Sequence, residues 1–122
     1  MSYYIAIGFD ETCVSSGRDI PGAVEALKRI TAAGHRLCLW TCRYPHDVEK
    51  AVSWFASHGI PLEGANRWRG HGVRPSPKLV ADLYVDDRGI GTPLISFHAK
   101  DVVDWSKVCV ALQSRGLIGK RS

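Results

Sequence analysis

Three short apolar runs in this chain each break off into a polar turn that carries chemically useful groups. Residues 3–7 (YYIAI) lead into Gly8-Phe9-Asp10-Glu11-Thr12, residues 37–40 (LCLW) into Thr41, and residues 83–85 (LYV) into Asp86-Asp87. Such runs have the length and β-branched or aromatic character of buried strands. In an open α/β sheet, ligands bind beyond the carboxyl ends of the strands, so three neighbouring strands of this kind would gather their turns into one site.

Helical patterns fill the spaces between the runs. Pro21 offers a first helix its preferred opening position, Val24, Leu27, Ile30 and Thr31 share one face of it, and Gly34 closes it. A second helix opens at Pro45 and Asp47, repeats Val48, Ala51, Val52 and Phe55 at helical spacing, and ends at Gly59. Asp104 caps a third, with Trp105, Val108, Cys109 and Leu112 on its apolar face. Residues 15–19 read as a polar connector, residues 62–66 as a short edge strand, residues 67–77 as an exposed Gly/Pro/Arg-rich loop, and Leu94–Phe97 as a last short strand. Strands alternating with helices predict an α/β fold with a mainly parallel sheet covered on both faces.

A chain of 122 residues predicts one domain, residues 1–122, with a real core but no room for a separate lid. Its 45% hydrophobic and 23% charged residues argue against wholesale disorder. No apolar run approaches membrane-spanning length and no signal-peptide pattern opens the chain, so a cytoplasmic protein is expected. The net charge of +4 favours an anionic partner but is too small to single out nucleic acid. Arg67, Arg69, His71 and Arg74 could select such a ligand or simply face water. Cys13, Cys38, Cys42 and Cys109 lack disulfide or metal-finger spacing and read as reduced thiols.

Convergence of the three turns would place Asp10, Thr41, Asp86 and Asp87 together, with Lys78 shortly before the last pair. Clustered carboxylates repel one another unless a cation or proton neutralises them, which suits a hard metal such as Mg²⁺. Lys78 could hold a phosphate, and the Thr41 hydroxyl and backbone N–H could bind a phosphoryl oxygen. A blander reading pairs Asp87 with Arg88 or Arg43 as a partly exposed ion pair of small value.

Taken in order, IAIGFDET, LWTCR, PSPKLVADLYVDDR and the late Asp104-Trp105 resemble the motifs of the small, capless haloacid dehalogenase-like (HAD) hydrolases, whose first motif is normally D-x-D-G-T. The resemblance implies a three-layer α/β/α Rossmann-like fold without a cap domain, and Mg²⁺-dependent phosphoester hydrolysis through an aspartyl-phosphate. It implies Asp10 as general acid and base, Thr41 as phosphate-binding residue, Lys78 as charge stabiliser, and Asp10, Asp86 and Asp87 as metal ligands. Glu11, Thr12, Cys42 and Arg43 would then line the pocket for a phosphorylated or other anionic ligand. A receiver domain also combines carboxylates, Thr and Lys, but there the acidic pair comes at the first strand, whereas here it comes late.

Two positions depart from the family pattern. Gly8 stands where the family has its nucleophilic aspartate, and Glu11 stands where it has glycine. Glycine cannot attack phosphorus, and the missing carboxylate is also a usual metal ligand, so covalent catalysis and metal affinity should fall together. Loss of a covalent nucleophile typically removes roughly 10⁴ to 10⁶ of the rate. Glu11 could return a carboxylate to the metal, or Asp10 could serve as base for slow direct attack by water. The sequence therefore predicts an inactive or strongly impaired phosphohydrolase or, on the same fold, a non-catalytic phosphate- or metal-binding or protein-interaction module.

Overall fold

A computed structural model of the chain describes residues 2–69 and 76–120. Strand β1 (Tyr4–Ile7) is followed by a small hairpin of β2 (Val14–Ser15) and β3 (Arg18–Asp19), then helix α1 (Ala23–Ala32), strand β4 (Arg36–Leu39) and helix α2 (Pro45–Ser57). Further along come β5 (Leu83–Val85), the paired strands β6 (Leu94–Phe97) and β7 (Lys100–Val103), and helix α3 (Trp105–Ser114). The main sheet has the order β4-β1-β5 and is parallel throughout; β2-β3 and β6-β7 are two further antiparallel pairs. The fold is α/β.

Register fixes what the sheet presents at its edge. Ile7 lies opposite both Leu39 and Val85, so the three strands end level. Two further bonds carry the ladder past the last paired residues: Gly8 N–H donates to Val85 O at 2.9 Å, and Trp40 N–H to Ile7 O at 2.8 Å. Gly8, Trp40 and Asp86 are thus the first residues beyond one common rim.

Alternation along the strands divides the core. Ile5, Ile7, Leu37 and Leu39 join a large buried cluster with Leu27 and Ile30 of α1, Phe55 of α2, and Trp105 and Leu112 of α3. Ala6 and Cys38, which point the other way, pack with Leu79, Trp40, Trp68 and Ala81. Among the described residues no helix contributes to this second cluster; Trp68, Leu79 and Ala81, between α2 and β5, pack on that face, where a helical layer was expected. Trp68 fastens the cover by donating its indole N–H to Val80 O at 2.6 Å.

The helices follow their apolar spacing, with local corrections. Helix α1 starts at Ala23 behind Gly22, whose φ of 82° is a left-handed cap, instead of at Pro21. Its buried stripe is Ala23, Ala26, Leu27 and Ile30, with Val24 partly buried against the same core. Pro45 does open α2, and the Asp104 carboxylate accepts the Lys107 N–H at the start of α3.

The larger misses are the hairpins. Residues 15–19 form the β2-β3 turn, with Ser16 and Gly17 both at positive φ, the backbone handedness that matches the twist of a two-residue hairpin. His98 and Ala99 do the same between β6 and β7, so the expected lone strand Leu94–Phe97 has a partner. Residues 62–66 do run along the edge of β4: Ala65 bridges to Leu39 in parallel, Glu63 N–H donates to Leu37 O at 2.7 Å, Leu39 N–H to Gly64 O at 3.0 Å and Asn66 N–H to Leu39 O at 2.7 Å. All four cysteines are free thiols. His71 and Arg74 lie outside the described residues.

Candidate functional site

The level rim of the parallel sheet opens into a cavity of about 730 Å³. Gly8, Asp10 and Glu11 reach it from β1, Thr41 and Cys42 from β4, and Asp86 and Asp87 from β5, with Arg88 beside them. Groups separated by up to 79 positions in the sequence therefore share one pocket, as the strand-end argument requires. Thr12, Arg43 and Lys78 do not line it, Arg43 reaching its edge only through Asp10. Thr12 is fully buried beneath the loop. Lys78 is exposed, with its ammonium 4.9 Å from the centre of the Tyr84 ring, a cation–π contact away from the cavity.

Asp10 is held from outside its own strand. Arg43 Nε donates to Asp10 Oδ2 and Arg43 Nη2 to Asp10 Oδ1, each at 2.8 Å, the forked geometry in which a guanidinium matches a carboxylate. The guanidinium carbon also lies 4.8 Å from the Phe9 ring centre, and Nη1 reaches Asp47 O at 3.4 Å. The expected partner of Arg43, Asp87, is passed over. The Arg43 hydrogen bonds lower the Asp10 pKa below the ordinary carboxylate value, against partial burial that raises it.

Thr41 is also engaged. Its backbone N–H, expected to be free for a phosphoryl oxygen, donates to Asn66 Oδ1 at 2.8 Å, and its hydroxyl oxygen accepts the Arg43 N–H at 3.2 Å. Asn66 holds this place at a left-handed φ of 59°, which its short polar side chain tolerates. Asp86 Oδ1 accepts two backbone N–H groups, from Arg88 at 3.0 Å and Gly89 at 2.8 Å. Asp87 has its pKa raised, first by partial burial, with the neighbouring charges of Asp86 and Asp10 adding to it and Arg88 opposing.

Positions 8 and 11 show what the departures from the family motif do. A β-carbon added at Gly8 would lie 2.8 Å from Asp86 Cβ and 3.0 Å from Thr12 Oγ1, so a side chain fits only if the loop gives way. Glu11 has φ of 55°, a left-handed backbone that glycine adopts at no steric cost and that glutamate resists. Its carboxylate faces the cavity but is paired with Lys100, Oε1 to Nζ 3.6 Å.

These residues do not fit the Mg²⁺ that the resemblance implies. Position 8 supplies no carboxylate, both Asp10 carboxylate oxygens are forked onto Arg43, and Asp86 Oδ1 is committed to two backbone donors. Among the described residues no group of three or more His, Cys, Asp or Glu is arranged to hold a metal ion.

Sequence reasoning overlooked two supports. Trp105, at the start of α3, donates its indole N–H to Thr12 O at 2.7 Å, and Val103 N–H donates to Glu11 O at 3.0 Å. The Asp104-Trp105 pair signalled only a helix start; nothing local to it points to the loop after β1.

Fold and rim together define an α/β domain with a carboxylate-rich cavity at the carboxyl edge of a parallel sheet. No family model matches the chain, and no curated protein does. A solved structure of a conserved protein from Bacteroides thetaiotaomicron is 30% identical to it, with a TM-score of 0.78 over 94% of this chain and 93% of the other. The chain belongs to the family of that conserved Bacteroides protein.

Proposed function

We infer that the chain is a capless HAD-like phosphohydrolase domain in which covalent hydrolysis is lost. The observation that carries this reading is the meeting, in one cavity, of Asp10, Thr41, Asp86 and Asp87 from three strands in the order the family motifs require. The left-handed Glu11, standing where the motif has glycine, supports the same alignment. Loss of the reaction follows from Gly8: a group without a side chain cannot form a phosphoenzyme, and the space beside Asp86 is already closed.

What remains is a pocket whose functional groups already have partners. Asp10 is forked to Arg43, Thr41 is tied to Asn66, Asp86 caps its own turn and Glu11 meets Lys100. A second reading of the same domain is a non-catalytic module holding a phosphorylated or other anionic ligand, with Arg88 in the cavity lining as the cation that would meet it. Calorimetric titration with inorganic phosphate tests it: binding that survives Lys78→Ala but weakens in Arg88→Ala would locate the ligand in the cavity, and no heat at all would remove the idea.

Hydrolysis of an aryl phosphate in Mg²⁺ tests the leading reading. The intact chain and Asp10→Asn should both stay at the buffer rate; turnover by the intact chain that vanishes in Asp10→Asn would overturn the claimed loss. A folded Gly8→Asp variant tests the ancestry. The new carboxylate adds negative charge that lets a cation compete with Arg43, so Mg²⁺-supported turnover is expected, and silence from a folded variant would count against the HAD assignment.

A further inference from the structure

We propose that Arg43 is the built-in counter-ion of this cavity, standing in for a divalent cation so that the intact chain does not take one up. Four carboxylates face the cavity, those of Asp10, Glu11, Asp86 and Asp87, and such a group normally demands a metal or a proton. Here the cations come from the chain itself. Arg43 forks onto Asp10 at 2.8 Å twice, Lys100 meets Glu11 at 3.6 Å, and Arg88 lies beside Asp87.

Arg43 dominates because it is the most firmly held of the three. Its backbone N–H is bonded to Thr41 Oγ1, its guanidinium lies against the Phe9 ring, and Nη1 reaches Asp47 O. A hydrated Mg²⁺ seeking Asp10 would have to break two parallel charge-assisted hydrogen bonds and displace a stacked side chain, with no carboxylate at position 8 to compensate. A guanidinium is also charged at every accessible pH, so Asp10 keeps its counter-charge without a metal. This inference concerns cation binding alone and does not depend on whether the lineage is that of a hydrolase.

Titration of the intact chain with Mn²⁺, followed by the loss of the free-ion paramagnetic resonance spectrum, and Mg²⁺-dependent thermal unfolding test it. The intact chain should bind neither ion measurably in the millimolar range. Arg43→Gln should gain Mn²⁺ binding at least about tenfold tighter, and Mg²⁺ at roughly ten times its dissociation constant should raise the melting temperature of that variant by about 4 °C. Asp10→Asn added to Arg43→Gln should abolish the gain. Arg43→Lys, which keeps the charge but loses the fork, should fall between. Equal binding by the intact chain and Arg43→Gln, or no binding by either, would overturn the proposal. Neither assay reads turnover, so failure here leaves the functional reading untouched.

Discussion

The α-carbon of Gly8 faces Asp86 so closely that a methyl group built on it would lie 2.8 Å from Asp86 Cβ. The obstacle is space, since Gly8 is not among the positive-φ glycines. Gly8→Ala should therefore destabilise the fold by about 1–3 kcal/mol, the usual range for overpacking a close contact. Urea unfolding checks this: a lower midpoint with an unchanged slope is expected, and an unaltered midpoint would mean that the ends of β1 and β5 part freely.

The Asp10–Arg43 pair predicts a pH dependence with a definite sign. Because the folded pKa of Asp10 lies below its ordinary value of 3.8, the pair contributes fully above that value, and the contribution is lost as pH falls through the lower folded value. Asp10 is half exposed, so the stake is small, about 0.2–1 kcal/mol near neutral pH. The stability gap between the intact chain and Arg43→Gln should shrink on acidification; a gap constant from pH 7 to about pH 2 would show that Arg43 acts through packing on Phe9 instead.

Asp87 runs the other way. Its folded pKa is raised, chiefly by burial, so the stability it lends the folded state is present below its ordinary value of 3.8 and is lost as pH rises through the folded value. Asp87→Asn should then unfold at a higher temperature at neutral pH and show no advantage in acid. A variant less stable than the intact chain at pH 7 would contradict the cause assigned to the shift.

Ala99 sits at φ of 65° in the β6-β7 turn, following His98 at 49°. A left-handed alanine carries steric strain that glycine relieves, though glycine also gains freedom in the unfolded chain. Ala99→Gly should stabilise by about 0.5 kcal/mol net, read from denaturant midpoints. A loss of stability would show that strain in this turn is smaller than the entropy added.

The periodic parts of the molecule were legible in the chain, and the turns were not. Strands β1, β4 and β5 announce themselves as apolar runs, and α2 and α3 by their spacing, because burial imposes a pattern on consecutive residues. The two hairpins escaped because left-handed positions fall on Ser16, His98 and Ala99, residues that give no local hint of that conformation. At the cavity, the strand-end residues Asp10, Thr41, Asp86 and Asp87 could be anticipated from where the runs stop. Arg43 choosing Asp10 over Asp87, Asn66 taking the Thr41 N–H, and Lys78 resting on Tyr84 depend on contacts between distant segments, which spacing does not encode.

The bond from the Trp105 indole to the Thr12 carbonyl joins positions 93 residues apart, and Val103 holds Glu11 from the same direction. The acidic loop near the start of the chain is thus shaped by residues near its end. As the polypeptide leaves the ribosome, β1 can be made early, but the loop it carries waits for the final helix before it takes up its working shape. A chain cut short before α3 would keep its acidic residues and lose their arrangement.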